Sequence, residues 1–306
     1  MQKIRLVFLV GPTAIGKTGV AIYLAKKLNS EIISCDSMQL YKGMDIITSK
    51  PNRSTLEKVP HHLIGVISPG REYNVTKYRS AALKEIIKIV KKKRVPLFVG
   101  GTGLYMSVVL DGIFNVDAQD QKFRDLFYKK AQRFGSVYLH KKLQEVDAPA
   151  ACKIHPNDLK RIIRALEVFN VTGKPISQLQ KQRKGLSDNY DVKIFCLNMD
   201  RGKLYKRIDE RVERMFRDGL IKEAKKLLSM KLSKTASVAI GLKELKGYLE
   251  GSCDLQEAKD LMKRNTRQYA KRQLTWFRKD KRVQWINIKD NETSTEVAKR
   301  LWKKLS

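Results

Sequence analysis

No stretch of this sequence approaches the ~18 consecutive apolar residues that a membrane-spanning helix requires. The opening MQKIRLVFLV is apolar only briefly and meets Gly11 at once, where a signal peptide would continue to a small-residue cleavage site. No membrane association and a cytoplasmic location are therefore expected. Cysteine is sparse. Cys35, Cys152, Cys196 and Cys253 lie far apart with no C-x-x-C pair, which argues against a zinc site or a disulfide framework and leaves four isolated small residues expected to be buried. Acidic residues are also few: 31 Asp plus Glu stand against 63 Lys plus Arg, a formal charge of +32. Such an excess repels itself unless it is dispersed or met by a polyanion, and nucleic acid is the usual one. Internal repeats and long low-complexity linkers are missing too.

What is present alternates. Residues 4–10 (IRLVFLV), 31–35 (EIISC) and 96–99 (PLFV) are short apolar runs of the kind that form buried parallel strands. Helical patterns follow at 17–28, at 75–93 and from about Thr102. This order implies a parallel sheet with helices on both faces. After about Asn115 the pattern changes. Residues 120–184 show helical periodicity without a strand and carry fifteen Lys or Arg against six Asp or Glu. A strand-like run returns at 192–199, then helices at 201–217, 219–230, 239–249 and 254–279, a strand at 283–288 and a closing helix. The expected fold is α/β, a P-loop NTPase-like parallel sheet flanked by helices (1–114 and 190–306), interrupted by an all-helical basic insert (115–189).

The strongest local signal is Gly11-Pro12-Thr13-Ala14-Ile15-Gly16-Lys17-Thr18, a complete G-x-x-x-x-G-K-T placed after a strand and before a helix. Glycines let backbone N–H groups turn inward around phosphate oxygens, and the helix N-terminus adds partial positive charge. Lys17 supplies an ammonium, and the Thr18 hydroxyl can reach a Mg²⁺ that bridges two phosphates. The motif predicts a di- or triphosphate, not ATP as such. The N-K-x-D motif for guanine and a helicase-type acidic box are both absent, so the loop is free to hold another diphosphate. The second signal is Asp36, at the carboxyl end of a parallel strand, where ligands of open α/β sheets bind.

Read together, GPTAIGKT, ISCDSMQLYKGMDI followed by SKP, PHHL at 60–63, VGGTGLY at 99–105, RIIRALEV at 161–168, AIGLKEL at 239–245 and TRQYAKRQLTWFR at 266–278 occur in the order found in tRNA dimethylallyltransferases. The chain resembles the bacterial form of that family over essentially its whole length. The C-terminal zinc finger of eukaryotic relatives has no Cys/His counterpart here. The resemblance implies a prenyl transfer from dimethylallyl diphosphate to N6 of the adenosine 3′-adjacent to the anticodon. It places the donor diphosphate on Thr13 to Thr18, with Mg²⁺ beside Thr18. Asp36 falls on the family's general base, Ser37, Met38 and Gln39 beside the target adenine, and Thr102 on a residue that orients the reacting groups. Arg211 matches an arginine on the diphosphate. Arg124 and Lys160, Arg161, Ile162, Ile163 and Arg164 match positions that touch tRNA.

The residues themselves add one more expectation. Residues 256–282 carry ten basic side chains against three acidic. Arg264, Arg267, Lys271 and Arg278 recur at near-helical spacing, opposite Ala270, Leu274 and Phe277, so Arg267 and Lys271 are further candidates for tRNA contact. His61 and His62 read as structural or tRNA-facing. Ile47, Ser49, Lys77 and Leu242 depart from the family pattern, which bears on packing and on the shape of the prenyl pocket. A monomer is expected. Two other activities fit parts of the pattern: prenylation of free adenylate, and a P-loop kinase or RNA-dependent NTPase.

Overall fold

The computed structural model describes residues 3–114, 120–187 and 189–305. The expected change of pattern at Asn115 lies outside the described residues. Six strands, β1 (Ile4–Val10), β2 (Ser30–Cys35), β3 (His61–His62), β4 (Val95–Gly100), β5 (Tyr190–Asn198) and β6 (Val283–Asn287), form one sheet in the order β3-β2-β4-β1-β5-β6. Every neighbouring pair is parallel. From Leu6 to Val10, β1 is apolar without alternation and at most 1% exposed, because both of its faces are covered. The fold is the α/β P-loop architecture expected from the sequence.

Parallel pairing puts the carboxyl ends of β2, β4 and β1 side by side at one edge. From β1 the chain crosses to β2, returns to β4 in the gap, and then leaves for β5 on the far side of β1. The order reverses there, and a crevice opens between the loops that follow the strands.

By internal contacts the chain divides into two compact units, one of residues 1–110 with 187–306 and one of residues 111–186. Two apolar clusters lie among the described residues of the first. One packs helices Lys17–Lys27 and Ser294–Leu305 against the sheet. The other gathers Tyr41, Met44 and Ile47 with Val212, Leu220, Leu242 and Met262, beneath the segment that follows Asp36. The second unit is helical, with a core that includes Leu139, Leu143, Ile162, Ile163 and Val168.

Local differences from the expected elements have local causes. The two-residue edge strand β3 was not expected; it is too short to show a period of two. The helix expected from 239 begins at Leu242, because Gly241 holds φ +106° and a short 3₁₀ turn, Ala236–Val238, precedes it. Cys35 and Cys196 are buried as expected, whereas Cys152 is exposed and Cys253 half-buried. Among the described residues, no helix is long and apolar enough to cross a membrane.

Candidate active site

The phosphate loop sits between β1 and helix Lys17–Lys27. Gly11 holds φ +149°, and a Cβ there would stand 3.0 Å from the Leu197 carbonyl oxygen of β5. Gly16 holds φ +96° and starts the helix from a left-handed conformation that side chains rarely adopt. Inside the loop, Lys17 Nζ donates to the carbonyls of Gly11 (2.9 Å) and Pro12 (2.7 Å). Desolvation by the surrounding protein lowers its pKa to about 8, Asp36 pulls it back up, and Arg211 pushes it further down. Ile15 is buried at 1% exposure, so its side chain packs in the core and only its backbone faces the loop. Thr18 is exposed at the mouth.

Arg211 comes from helix Arg201–Arg217, whose other face buries Leu204, Ile208, Val212 and Met215. Its Nη1 donates to Thr13 Oγ1 at 2.9 Å. Burial lowers its pKa, an effect opposed by Asp36. Two cations thus flank the loop, both within electrostatic reach of one carboxylate.

That carboxylate follows β2. Asp36 Oδ1 accepts the N–H groups of Met38 (2.9 Å) and Gln39 (3.4 Å), an Asx-type turn that fixes the side chain where the strand ends. The loop after β4 meets it. A Cβ on Gly100 would stand 2.1 Å from the Cys35 carbonyl oxygen, so only glycine lets the two strand ends approach closely enough for the Thr102 N–H to donate to that carbonyl at 3.1 Å. Thr102 Oγ1 in turn accepts the Ser37 N–H at 3.1 Å. The sheet order therefore brings Asp36, Ser37 and Thr102 beside Lys17 and Arg211. All but Ser37 and Thr102 line a single cavity of about 980 Å³, which Gln39, Ile46 and Arg214 also line.

Mg²⁺ fits this donor set in one respect. Among the described residues no three His, Cys, Asp or Glu side chains converge as a metal cage. The Thr18 hydroxyl beside the phosphate loop is the donor expected for an ion that arrives on phosphate oxygens and keeps several waters.

Comparison with known proteins decides the family. Residues 39–280 match the IPP transferase family, and residues 3–65 match the isopentenyl transferase family. A tRNA dimethylallyltransferase of Carboxydothermus hydrogenoformans is 48% identical over 285 residues, 92% of this chain and 92% of its own. One from Alkaliphilus oremlandii is 42% identical over 305 residues, 99% of this chain and 97% of its own. This chain belongs to the IPP transferase family. Solved structures agree. The tRNA isopentenylpyrophosphate transferase of Bacillus halodurans superposes with a TM-score of 0.72 at 40% identity, covering 99% of this chain and 97% of that one. A eukaryotic dimethylallyltransferase acting on tRNA gives 0.82 at 28% identity, covering 97% of this chain and 77% of that one.

Within this IPP transferase chain, the residues expected to touch tRNA separate into different kinds. In the helical unit, Lys160 and Arg161 are exposed, with Arg161 in an ion pair with Asp158 at 3.2 Å. Ile162 and Ile163 are 0% and 2% exposed. They are corrected to core residues, since their side chains anchor helix Leu159–Thr172 and offer nothing to a ligand. Arg124 and Arg164 are both held by buried Glu167, through contacts of 2.8 and 3.0 Å from Arg124 and 2.7 Å from Arg164. In helix Leu255–Arg278, Lys271 is exposed, whereas Arg267 Nη1 is bound to both oxygens of Asp209 at 2.8 Å and its guanidinium lies 5.8 Å from the Tyr205 ring. Arg267 is thus committed within the protein. Met38 is half-buried against the second apolar cluster. His62 bridges Glu31 (2.7 Å) and Glu85 (3.0 Å) and is held within the protein, whereas His61 Nδ1 donates to the Val59 carbonyl (2.7 Å) and its residue lines the cavity.

Residues the sequence did not single out complete the site. Tyr269 lies beside Thr102 in a shared hydrogen bond; burial and then the Asp36 charge push its phenol up. Glu223 accepts the N–H groups of Asp45 (3.0 Å), Ile46 (2.9 Å) and Ile47 (2.9 Å), fixing a wall of the cavity from helix Leu220–Leu228. Gln273 touches both the phosphate loop and the loop after β4. The motif that holds Tyr269 and Gln273, TRQYAKRQLTWFR, is visible in the sequence, but which of its side chains point inward is not.

Proposed function

We propose that this protein transfers the dimethylallyl group of dimethylallyl diphosphate to N6 of the adenosine 3′-adjacent to the anticodon of tRNA, with release of diphosphate. The observation that carries the reading is the convergence of one carboxylate, Asp36, with two cations, Lys17 and Arg211, at the rim of a phosphate loop. Relatives named as tRNA dimethylallyltransferases support the acceptor and the donor.

The adenine N6 amine is a weak nucleophile because its lone pair is delocalised into the ring. As it attacks the allylic C1 carbon, positive charge grows on nitrogen and a proton must leave. Asp36, with Oδ1 tied to backbone N–H groups, takes that proton as general base. Thr102, bonded to the Ser37 N–H, holds the amine and the carboxylate in line. Across the reacting carbon, the bond to the diphosphate oxygen breaks and the electron pair leaves with it. Lys17, Arg211 and the N–H groups of residues 13–18 stabilise a charge that is larger in the transition state than in the substrate. Bound beside Thr18, Mg²⁺ would neutralise diphosphate charge. The displacement proceeds with inversion at C1. The adenine leaves its stack in the anticodon loop to reach Asp36, at a cost of a few kcal/mol that tRNA contacts by basic side chains offset.

The test is transfer of labelled dimethylallyl diphosphate to unmodified tRNA with consecutive adenosines in its anticodon loop, wild type against Asp36→Ala. Label entering tRNA with wild type and falling about 10²- to 10⁴-fold in the variant supports both activity and base. An equally active variant removes Asp36 from that role. A wild type that prenylates AMP and not tRNA, or hydrolyses ATP untouched by a prenyl diphosphate, sinks the reading.

A further inference from the structure

Helix Leu255–Arg278 turns one face toward the loop after β4. Tyr269, Gln273 and Trp276 follow at i, i+4 and i+7, the spacing of a single helical stripe. Gln273 is 5% exposed. Its Nε2 donates to the Gly101 carbonyl at 2.9 Å, and its Oε1 accepts the Thr13 N–H at 2.9 Å. The fit is close: a Cβ on Gly101 would stand 2.0 Å from Gln273 Nε2, and one on Gly103 would stand 2.0 Å from Trp276 Cδ1. The two glycines that bracket Thr102 are the points where this helix presses against the turn.

From this geometry we propose that Gln273 is a positioning residue, which sets the spacing between the phosphate loop and Thr102 and so between the leaving diphosphate and the attacking amine. The role rests on the transferase reading above. A primary amide suits it because a single neutral, planar group supplies both the donor and the acceptor. A carboxylate in its place would lose the donor and put negative charge beside a diphosphate. Displacement at carbon needs nucleophile and leaving group in line, and a misplacement of about 1 Å costs on the order of 10²-fold in rate.

The experiment measures single-turnover transfer and donor binding in wild type, Gln273→Met, Thr102→Ala and the double variant, with melting curves for each. Methionine keeps the length of the side chain and removes both hydrogen bonds. Gln273→Met is expected to lower the transfer rate by about thirtyfold in the wild-type background and by less than about threefold beside Thr102→Ala, because Gln273 acts through Thr102. Donor affinity falls as well, through the freed Thr13 N–H. Equal losses in both backgrounds, the mark of a merely structural role, overturn the proposal, as does a wild-type rate in Gln273→Met. If Gln273→Met melts before assay temperature, Gly101→Ala replaces it, since the added methyl displaces the amide; there a wild-type rate overturns the proposal and a comparable loss supports it. A folded wild type without transfer overturns the transferase reading and the positioning role together. An active wild type beside an equally active Gln273→Met overturns the positioning role alone.

Discussion

Replacing Glu167 by alanine is expected to loosen the helical unit without disturbing the catalytic one. Glu167 is 0% exposed, yet its carboxylate is ionised more readily than usual: desolvation opposes ionisation, and hydrogen bonds from Arg124, Arg164 and the Asp120 N–H outweigh it. Asp120 N donates to Oε1 at 2.8 Å, so one side chain ties the start of helix Gln121–Phe134 to the middle of helix Leu159–Thr172. Removing one partner of a buried pair costs about 3–5 kcal/mol. Arg124 and Arg164 have side chains 33% and 35% exposed, so water takes up part of their loss and the lower figure, about 3 kcal/mol, applies. Since about 1.4 kcal/mol is a factor of ten, amide protection across 159–172 should fall roughly 150-fold in hydrogen exchange. All three tryptophans, Trp276, Trp285 and Trp302, lie in the other unit, so Trp fluorescence reports separately on it and its transition should stay in place. Protection within threefold of wild type in Glu167→Ala would refute the reasoning. The sign of the pH dependence follows from the lowered pKa: this stabilisation is complete above the unfolded-state carboxylate pKa and is lost as pH falls through the folded value.

The lowered pKa of Lys17 bears on activity as well as stability. With its pKa lowered to about 8, kcat/KM for the donor should fall above about pH 8 as the ammonium deprotonates, while kcat holds to higher pH because bound diphosphate restores the proton; a flat kcat/KM profile to pH about 10 would contradict this. In the donor-free protein the same shift makes stability rise with pH between about 8 and 10.5, where the unfolded chain binds the extra proton. Arg211→Ala removes the 2.9 Å contact to Thr13 and a leaving-group cation, and should lower the transfer rate by on the order of 10²-fold with tRNA affinity unchanged in filter binding. Glu223→Ala frees three backbone N–H groups of the cavity wall and should cost about 2–3 kcal/mol in urea denaturation and raise the donor KM; unchanged values for both would remove Glu223 as the anchor of residues 45–47.

The parts of the site legible in the sequence are those whose demands are local. A left-handed Gly16 before a helix, and a carboxylate capping its own turn as Asp36 does, leave signatures within a few residues. Burial on both faces leaves β1 and β4 uniformly apolar. Charge was legible as a sum and misleading residue by residue. Arg267 spends its guanidinium on Asp209 and Arg124 on Glu167, because a basic side chain beside an acidic one in space need not be near it in sequence; Arg164 shares Glu167 from one turn away on the same helix. Ile162 and Ile163 stand inside a basic motif and still face the core, since a helix turns its faces every 3.6 residues.

By itself, the sequence determined the parallel α/β class and pointed to the phosphate loop, the catalytic carboxylate candidate and a helical insert, because short-range backbone geometry and hydrophobic period carry each of these signals. Only the tertiary structure decided that β4 lies between β2 and β1, which is what sets Thr102 beside Asp36 and both beside Lys17. It alone decided that Gln273, 260 residues from Thr13 along the chain, closes the gap between the two loops. Such contacts depend on how distant segments pack, and packing is a property of the whole core that no local pattern carries.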